Sequence, residues 1–187
     1  TYTNGDEVEL FLNGKSLGVK KNSNDPKLRA RIKWDDIAYA PGALLAVARK
    51  NGKVMARHQI ETTGEAVALK LVPDVETWHA DGKDLMHVRI YAVDKKGRRV
   101  LNMKDAKAFD KLTFTVKGDA NIVAVDNGNI ASDELHIGKT QLEKTIQRNL
   151  FQGSALVILR AGKQNGKVEL MVSSDKMKAR KLVLNTK

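Results

Sequence analysis

The chain has 187 residues, enough for one medium domain or two small ones, and 42% of them are hydrophobic, so a packed core is within reach. Aromatics make up only 5%, which leaves the core to Val, Leu, Ile and Ala, and no apolar run approaches the roughly 18 residues of a membrane helix. Cysteine is absent, which excludes disulfides and thiolate metal sites. The net charge of +11 is spread along the chain, and a nucleic-acid binder concentrates its charge on one face, so no specific nucleic-acid partner is expected.

Thr1-Tyr2-Thr3-Asn4 lacks the basic start and apolar segment of a signal peptide, and the chain is expected to be an excised or processed fragment. Residues 7–12 alternate, with Val8, Leu10 and Leu12 inward. Asn13-Gly14 turns the chain back through residues 15–19, residues 20–27 form a polar loop, and residues 28–32 read as a short strand. Trp34-Asp35-Asp36-Ile37-Ala38-Tyr39 leads through Pro41-Gly42 to the apolar run 43–48. Asn51-Gly52 then joins that run to a returning strand over 53–60, because a type I′ turn needs positive φ at both central residues. After Thr62-Thr63-Gly64 comes an alternating strand with Val67, Leu69 and Leu71 on one face.

Val72-Pro73-Asp74 is the expected domain boundary, since proline lacks the donor that a central strand needs, and the domains are set at 1–72 and 73–187. The second domain begins with residues 75–78, turns at Asp81-Gly82 and runs as a strand over 85–93, where Met86, Val88 and Ile90 alternate with His87, Arg89 and Tyr91. Asp94-Lys95-Lys96-Gly97 is a turn, 102–110 a loop, and 111–116 the cleanest alternation in the sequence. Residues 121–125 form a strand ended by Asp126-Asn127-Gly128-Asn129. Residues 130–149 read as polar and irregular, with a helical turn near 142–146. Residues 154–160 are an apolar strand, Asn165-Gly166 makes a hairpin to 168–172, and 181–184 close the fold. Five Asn-Gly dipeptides favour antiparallel pairing over a βαβ pattern. The expected fold is all-β, two tandem immunoglobulin-like antiparallel β-sandwiches.

The sequence offers no catalytic constellation. His79, Asp81, Asp84 and His87 cluster, but Asp81-Gly82 is a turn and His87 an outward strand position, so no metal site is expected. Ser154 follows Gly153 but enters a buried strand, so there is no nucleophile elbow. Asp35 and Asp36 are adjacent and in a strand would point to opposite faces, unlike the facing carboxylates of a glycosidase. Asp126-Asn127-Gly128-Asn129 resembles half of a calcium loop but lacks the glutamate, and reads as an Asx turn with Gly128 at positive φ. No cofactor is called for. Trp34 and Trp78 are the candidate sugar-stacking residues, with packing in a core or between domains as the blander role.

Several of these stretches, in order, are similar to the non-catalytic sandwich domains that follow the barrel in glycoside hydrolase family 2, bacterial β-galactosidases in particular. They are residues 2–18, Trp34 with Tyr39-Ala40-Pro41-Gly42, Asn51-Gly52-Lys53, residues 80–85, Val125-Asp126-Asn127-Gly128-Asn129 and Arg148-Asn149-Leu150-Phe151-Gln152-Gly153. Asn129 departs from the aspartate that is commoner there. The resemblance implies a non-catalytic scaffold packed beside a barrel outside this chain, with the first sandwich lacking its first strand. It also implies the parent's other domains as partners and a periplasmic or secreted parent. Carbohydrate is a further candidate partner, no membrane contact is implied, and no catalytic residue can be carried over. A carbohydrate-binding module or a bacterial immunoglobulin-like adhesion repeat is the alternative.

Overall fold

The computed structural model describes residues 1–101, 110–138, 140 and 142–187, and their regular structure is entirely β. The chain divides into two compact units, Thr1–Thr62 and Thr63–Lys187. The loop expected over 102–110 lies almost wholly outside the described residues.

The first unit is built on one antiparallel sheet in the order β2-β1-β3-β4, from β1 (Glu7–Leu12), β2 (Lys15–Lys21), β3 (Ala43–Lys50) and β4 (Lys53–Glu61). Both hairpins turn on Asn-Gly with positive φ at each residue, 52° and 80° at Asn13-Gly14 and 49° and 74° at Asn51-Gly52. Val8 lies opposite Ala48 and Leu10 opposite Ala46, which puts them on one face. Ile32 and Trp34, from the segment between β2 and β3, pack on that face against Val8 and Ala48. That segment holds no strand over 28–32. The Asp25 carbonyl accepts from the N–H groups of Leu28 and Arg29, the Asp25 side chain accepts from Lys27, and Ala30 sits at φ 67°. This local turn competes successfully with pairing, and one isolated bridge, Arg31 to Tyr2, remains.

The second unit is a two-layer sandwich. One sheet runs β5-β6-β10-β8, from β5 (Ala68–Pro73), β6 (Leu85–Val93), β8 (Ala120–Asp126) and β10 (Ser154–Ala161). The other runs β12-β11-β7-β9, from β7 (Lys111–Lys117), β9 (Thr145–Asn149), β11 (Gly166–Ser174) and β12 (Arg180–Thr186). The inward residues of β6 (Met86, Val88, Ile90) and of β10 (Val157, Leu159) meet Leu112, Phe114, Leu170 and Val172 in one buried cluster. The alternation of period two delivers every second side chain to this interior.

Three expectations change here. The boundary at 72/73 falls inside β5, which pairs with β6 from Ala68 opposite Val93 to Pro73 opposite Val88. Pro73 therefore ends an edge strand, where a missing donor is tolerated, and does not mark a crossing between domains. Asn165-Gly166 is not a hairpin within a sheet, because β10 and β11 belong to different layers; the turn carries the chain from one layer to the other. The region near 142–146 is no helical turn: it leads into β9, with Ile146 and Arg148 opposite Phe114 and Leu112. An arginine at an inward position hid the period of that strand from the sequence.

Candidate functional site

Polar chemistry in the second unit gathers at one end of the sandwich, around Arg148. Its side chain is fully buried. Nη1 donates to the Glu134 carbonyl at 2.7 Å, and Nη2 donates to Asn127 Oδ1 at 3.2 Å and Asp126 Oδ1 at 3.4 Å. Nε forms an ion pair with Glu134 Oε2 at 3.6 Å, beyond hydrogen-bond reach, and has no hydrogen-bond partner. Around this guanidinium the backbone is tied down: Glu134 Oε1 accepts from the Asn149 N–H, and Asn127 Nδ2 donates to the Asn149 carbonyl. A buried cation with charged and amide oxygens on several sides is the arrangement a low-dielectric interior demands.

Asp126-Asn127-Gly128-Asn129 is a double Asx turn. Asp126 Oδ1 accepts from the N–H of Gly128 at 3.2 Å, Asn127 Oδ1 accepts from that of Asn129 at 3.0 Å, and Gly128 has φ 76°. Burial pushes the Asp126 carboxyl up, but the N–H groups of Asn127 and Gly128, with the charges of His136 and Arg148, outweigh it and hold it below the usual range. It is therefore an ionised acceptor at neutral pH, unable to serve as the general acid of a glycosidase. His136 Nδ1 stands 3.4 Å away. Among the described residues no three His, Asp or Glu side chains gather to hold a metal ion.

A groove of about 290 Å³ opens beside this turn on the outer face of β6, β8 and β10, lined in part by Arg89, Tyr91, Arg99, Asp126 and Ser154. Register puts these groups side by side. Tyr91 faces Lys70 on β5 and Ser154 on β10, while Leu156 faces Arg89 on one side and Asp126 on the other. The Arg99 guanidinium lies over the Tyr91 ring at 4.6 Å. A second cavity, about 660 Å³ and polar, lies in the first unit near Asn4, Asn22 and Arg29, with no aromatic lining.

The candidates read from the sequence fall elsewhere. Trp78 is fully buried in the core of the second unit, its Nε1 donating to the Asp84 carbonyl at 3.1 Å, so it presents nothing to a sugar. Trp34 is half-buried against Val8 and Ile32, with the Lys20 ammonium 5.6 Å from its ring and its Nε1 buried without a partner. His79 and His87 are not brought together. His79 pairs with Asp84 at 3.1 Å and His87 with Asp74 at 3.0 Å. No sequence signal announces the Arg148 cluster or the Tyr91 groove: Arg148 lies in a stretch without a visible period, and the groove exists only through cross-strand register.

Residues 69–183 match the family described as glycoside hydrolase family 2 C-terminal domain 5, and residues 1–56 match a domain of unknown function, DUF4982. The chain is 36% identical over 174 residues to the beta-galactosidase BoGH2A of Bacteroides ovatus, covering 93% of this chain and 19% of that protein. It is 32% identical over 115 residues to a beta-glucuronidase of Formosa agariphila, covering 60% of this chain and 11% of that protein. A crystal structure of a glycosyl hydrolase family 2 member from Bacteroides cellulosilyticus superposes with a TM-score of 0.83 at 31% identity, covering 98% of this chain and 23% of that one. The chain thus spans less than a quarter of the length of each of these proteins.

Proposed function

The chain belongs to glycoside hydrolase family 2, as part of its C-terminal region, and from that premise we propose that it is a non-catalytic accessory scaffold of a β-galactosidase-type enzyme, packed beside a barrel that lies elsewhere in the parent. The observation that carries this reading is the match of residues 69–183 to a C-terminal domain in a chain that spans 19% of a β-galactosidase relative. The two units would act as immunoglobulin-like modules with the parent's other domains as their partners, in the periplasm or outside the cell.

The purified chain is expected to hydrolyse neither aryl β-galactosides nor aryl β-glucuronides. Turnover abolished by replacing one of its own carboxylates would defeat the reading. Reading the surrounding gene for a barrel with paired glutamates tests the scaffold role, and a signal peptide together with cell fractionation tests the location. A β-glucuronide substrate for the parent is the second reading, supported by the 32% identity to the Formosa protein. The ratio of the parent's rates on the two aryl glycosides decides between them.

A further inference from the structure

We propose that the groove on the outer face of the β5-β6-β10-β8 sheet binds an anionic saccharide, one carrying a carboxylate or sulfate group, through Arg89 and Arg99. The proposal rests on the accessory reading above, because a module of a glycosidase is presented to the saccharides that its parent enzyme meets. Arg49, Arg98 and Arg148 each meet a carboxylate. Arg89 and Arg99 make no ion pair among the described residues, although both are exposed and border one groove. Exposed Lys70 stands opposite Tyr91 in the neighbouring strand and adds positive charge beside the groove. Arg99 is already laid on that ring at 4.6 Å, which fixes a planar, forked donor before any ligand arrives.

Simple anions fit this site badly, because the ionised Asp126 carboxylate borders it and repels them. All of its described bonds fall on Oδ1, so Oδ2 keeps its acceptor capacity at a residue that lines the groove. An acceptor of that kind calls for hydroxyl donors. Ser154 Oγ donates to the Phe151 carbonyl at 3.2 Å, so its lone pairs also await a donor. Leu156, between Arg89 and Asp126 in register, supplies an apolar floor. A ligand with one anionic group, several hydroxyls and an apolar C–H face meets all three demands, and a sugar bearing an acid is such a ligand.

The test is calorimetric titration of the 187-residue chain with an oligouronate, a sulfated galacto-oligosaccharide, a neutral galacto-oligosaccharide and inorganic phosphate. One or both anionic sugars should bind at least about tenfold more tightly than the neutral one and than phosphate, the equivalent of one charge-assisted hydrogen bond. Arg89→Gln and Arg99→Gln should each weaken that binding about tenfold, whereas Lys117→Gln, which removes the same charge from the opposite sheet, should not. Equal binding of neutral sugar, equal binding of phosphate, no binding at millimolar ligand, or an equal effect of Lys117→Gln would each overturn the proposal. Arg89 and Arg99 are both exposed, so both variants are expected to fold, and circular dichroism verifies it. A failed titration leaves the accessory reading standing, while turnover by the chain would defeat that reading whatever the groove binds.

Discussion

Arg148 and Asp126 show how one residue can carry a local structure while looking like a site. Removing the Arg148 guanidinium takes the buried donor from the Glu134 carbonyl and one of the two donors from Asn127 Oδ1, and Arg148→Ala should cost on the order of 3 kcal/mol in chemical denaturation. Asp126→Ala removes the acceptor of two backbone N–H bonds at a half-exposed position and should cost about 1 kcal/mol. Neither loss should depend on calcium; a melting shift between calcium and chelator in the wild type, abolished in Asp126→Ala, would make the turn a metal site. Asp94 is the residue through which acid should act. The Arg98 guanidinium holds its carboxyl well below the usual range; burial opposes this, and the N–H groups of Gly64, Arg98 and Lys96 reinforce it. A folded-state pKa below the unfolded value of about 3.9 gives stability that is present above that value and lost as the pH falls toward the folded one. Asp94→Asn should therefore flatten the decline in melting temperature below about pH 5. Parallel curves for the two proteins would show that Asp94 does not drive acid unfolding.

Among the elements, β5 tests where the second unit begins. Leu69 is 1% exposed and Leu71 packs on the same core, and Arg180 Nε donates to the Leu69 carbonyl at 3.2 Å. A chain of residues 63–187 should fold with a cooperative melt. A chain of residues 74–187 loses this edge strand and the cover it gives the core, and should melt several degrees lower or bind hydrophobic dyes. Equal melting of the two would restore the boundary at 72/73. The five Asn-Gly dipeptides carry a related lesson. Asn13-Gly14 and Asn51-Gly52 are hairpin turns with both residues at positive φ, whereas Asn127-Gly128 ends a strand with only its glycine there. Gly5 is buried in close packing, where a β-carbon would stand 2.8 Å from the Arg49 carbonyl oxygen. The dipeptide announces a place where the chain can bend sharply, and the neighbouring strands decide what the bend joins.

At the scale of the whole molecule, a charge of +11 on 187 residues should attract nucleic acid weakly, through counterion release. Filter binding should give an affinity that falls steeply with salt and does not vary with sequence, and nanomolar, sequence-dependent binding at physiological salt would contradict it. The sequence by itself determined the all-β class, most of the strands, both Asn-Gly hairpins of the first unit and the family. Those properties live in short windows, in the period of two and in turn residues whose φ demands are local. It did not place β5 in the second unit, because pairing with β6 is a non-local choice and proline reads the same at an edge strand as at a boundary. It did not reveal β9, whose inward arginine is stable only because Asp126, Asn127 and Glu134 arrive from elsewhere in the chain. Nor could it assemble the groove at Tyr91, whose members come from β6, β8, β10 and Arg99. Only the register between strands brings Arg89, Leu156 and Asp126 into one row, and register is a property of the folded sheet.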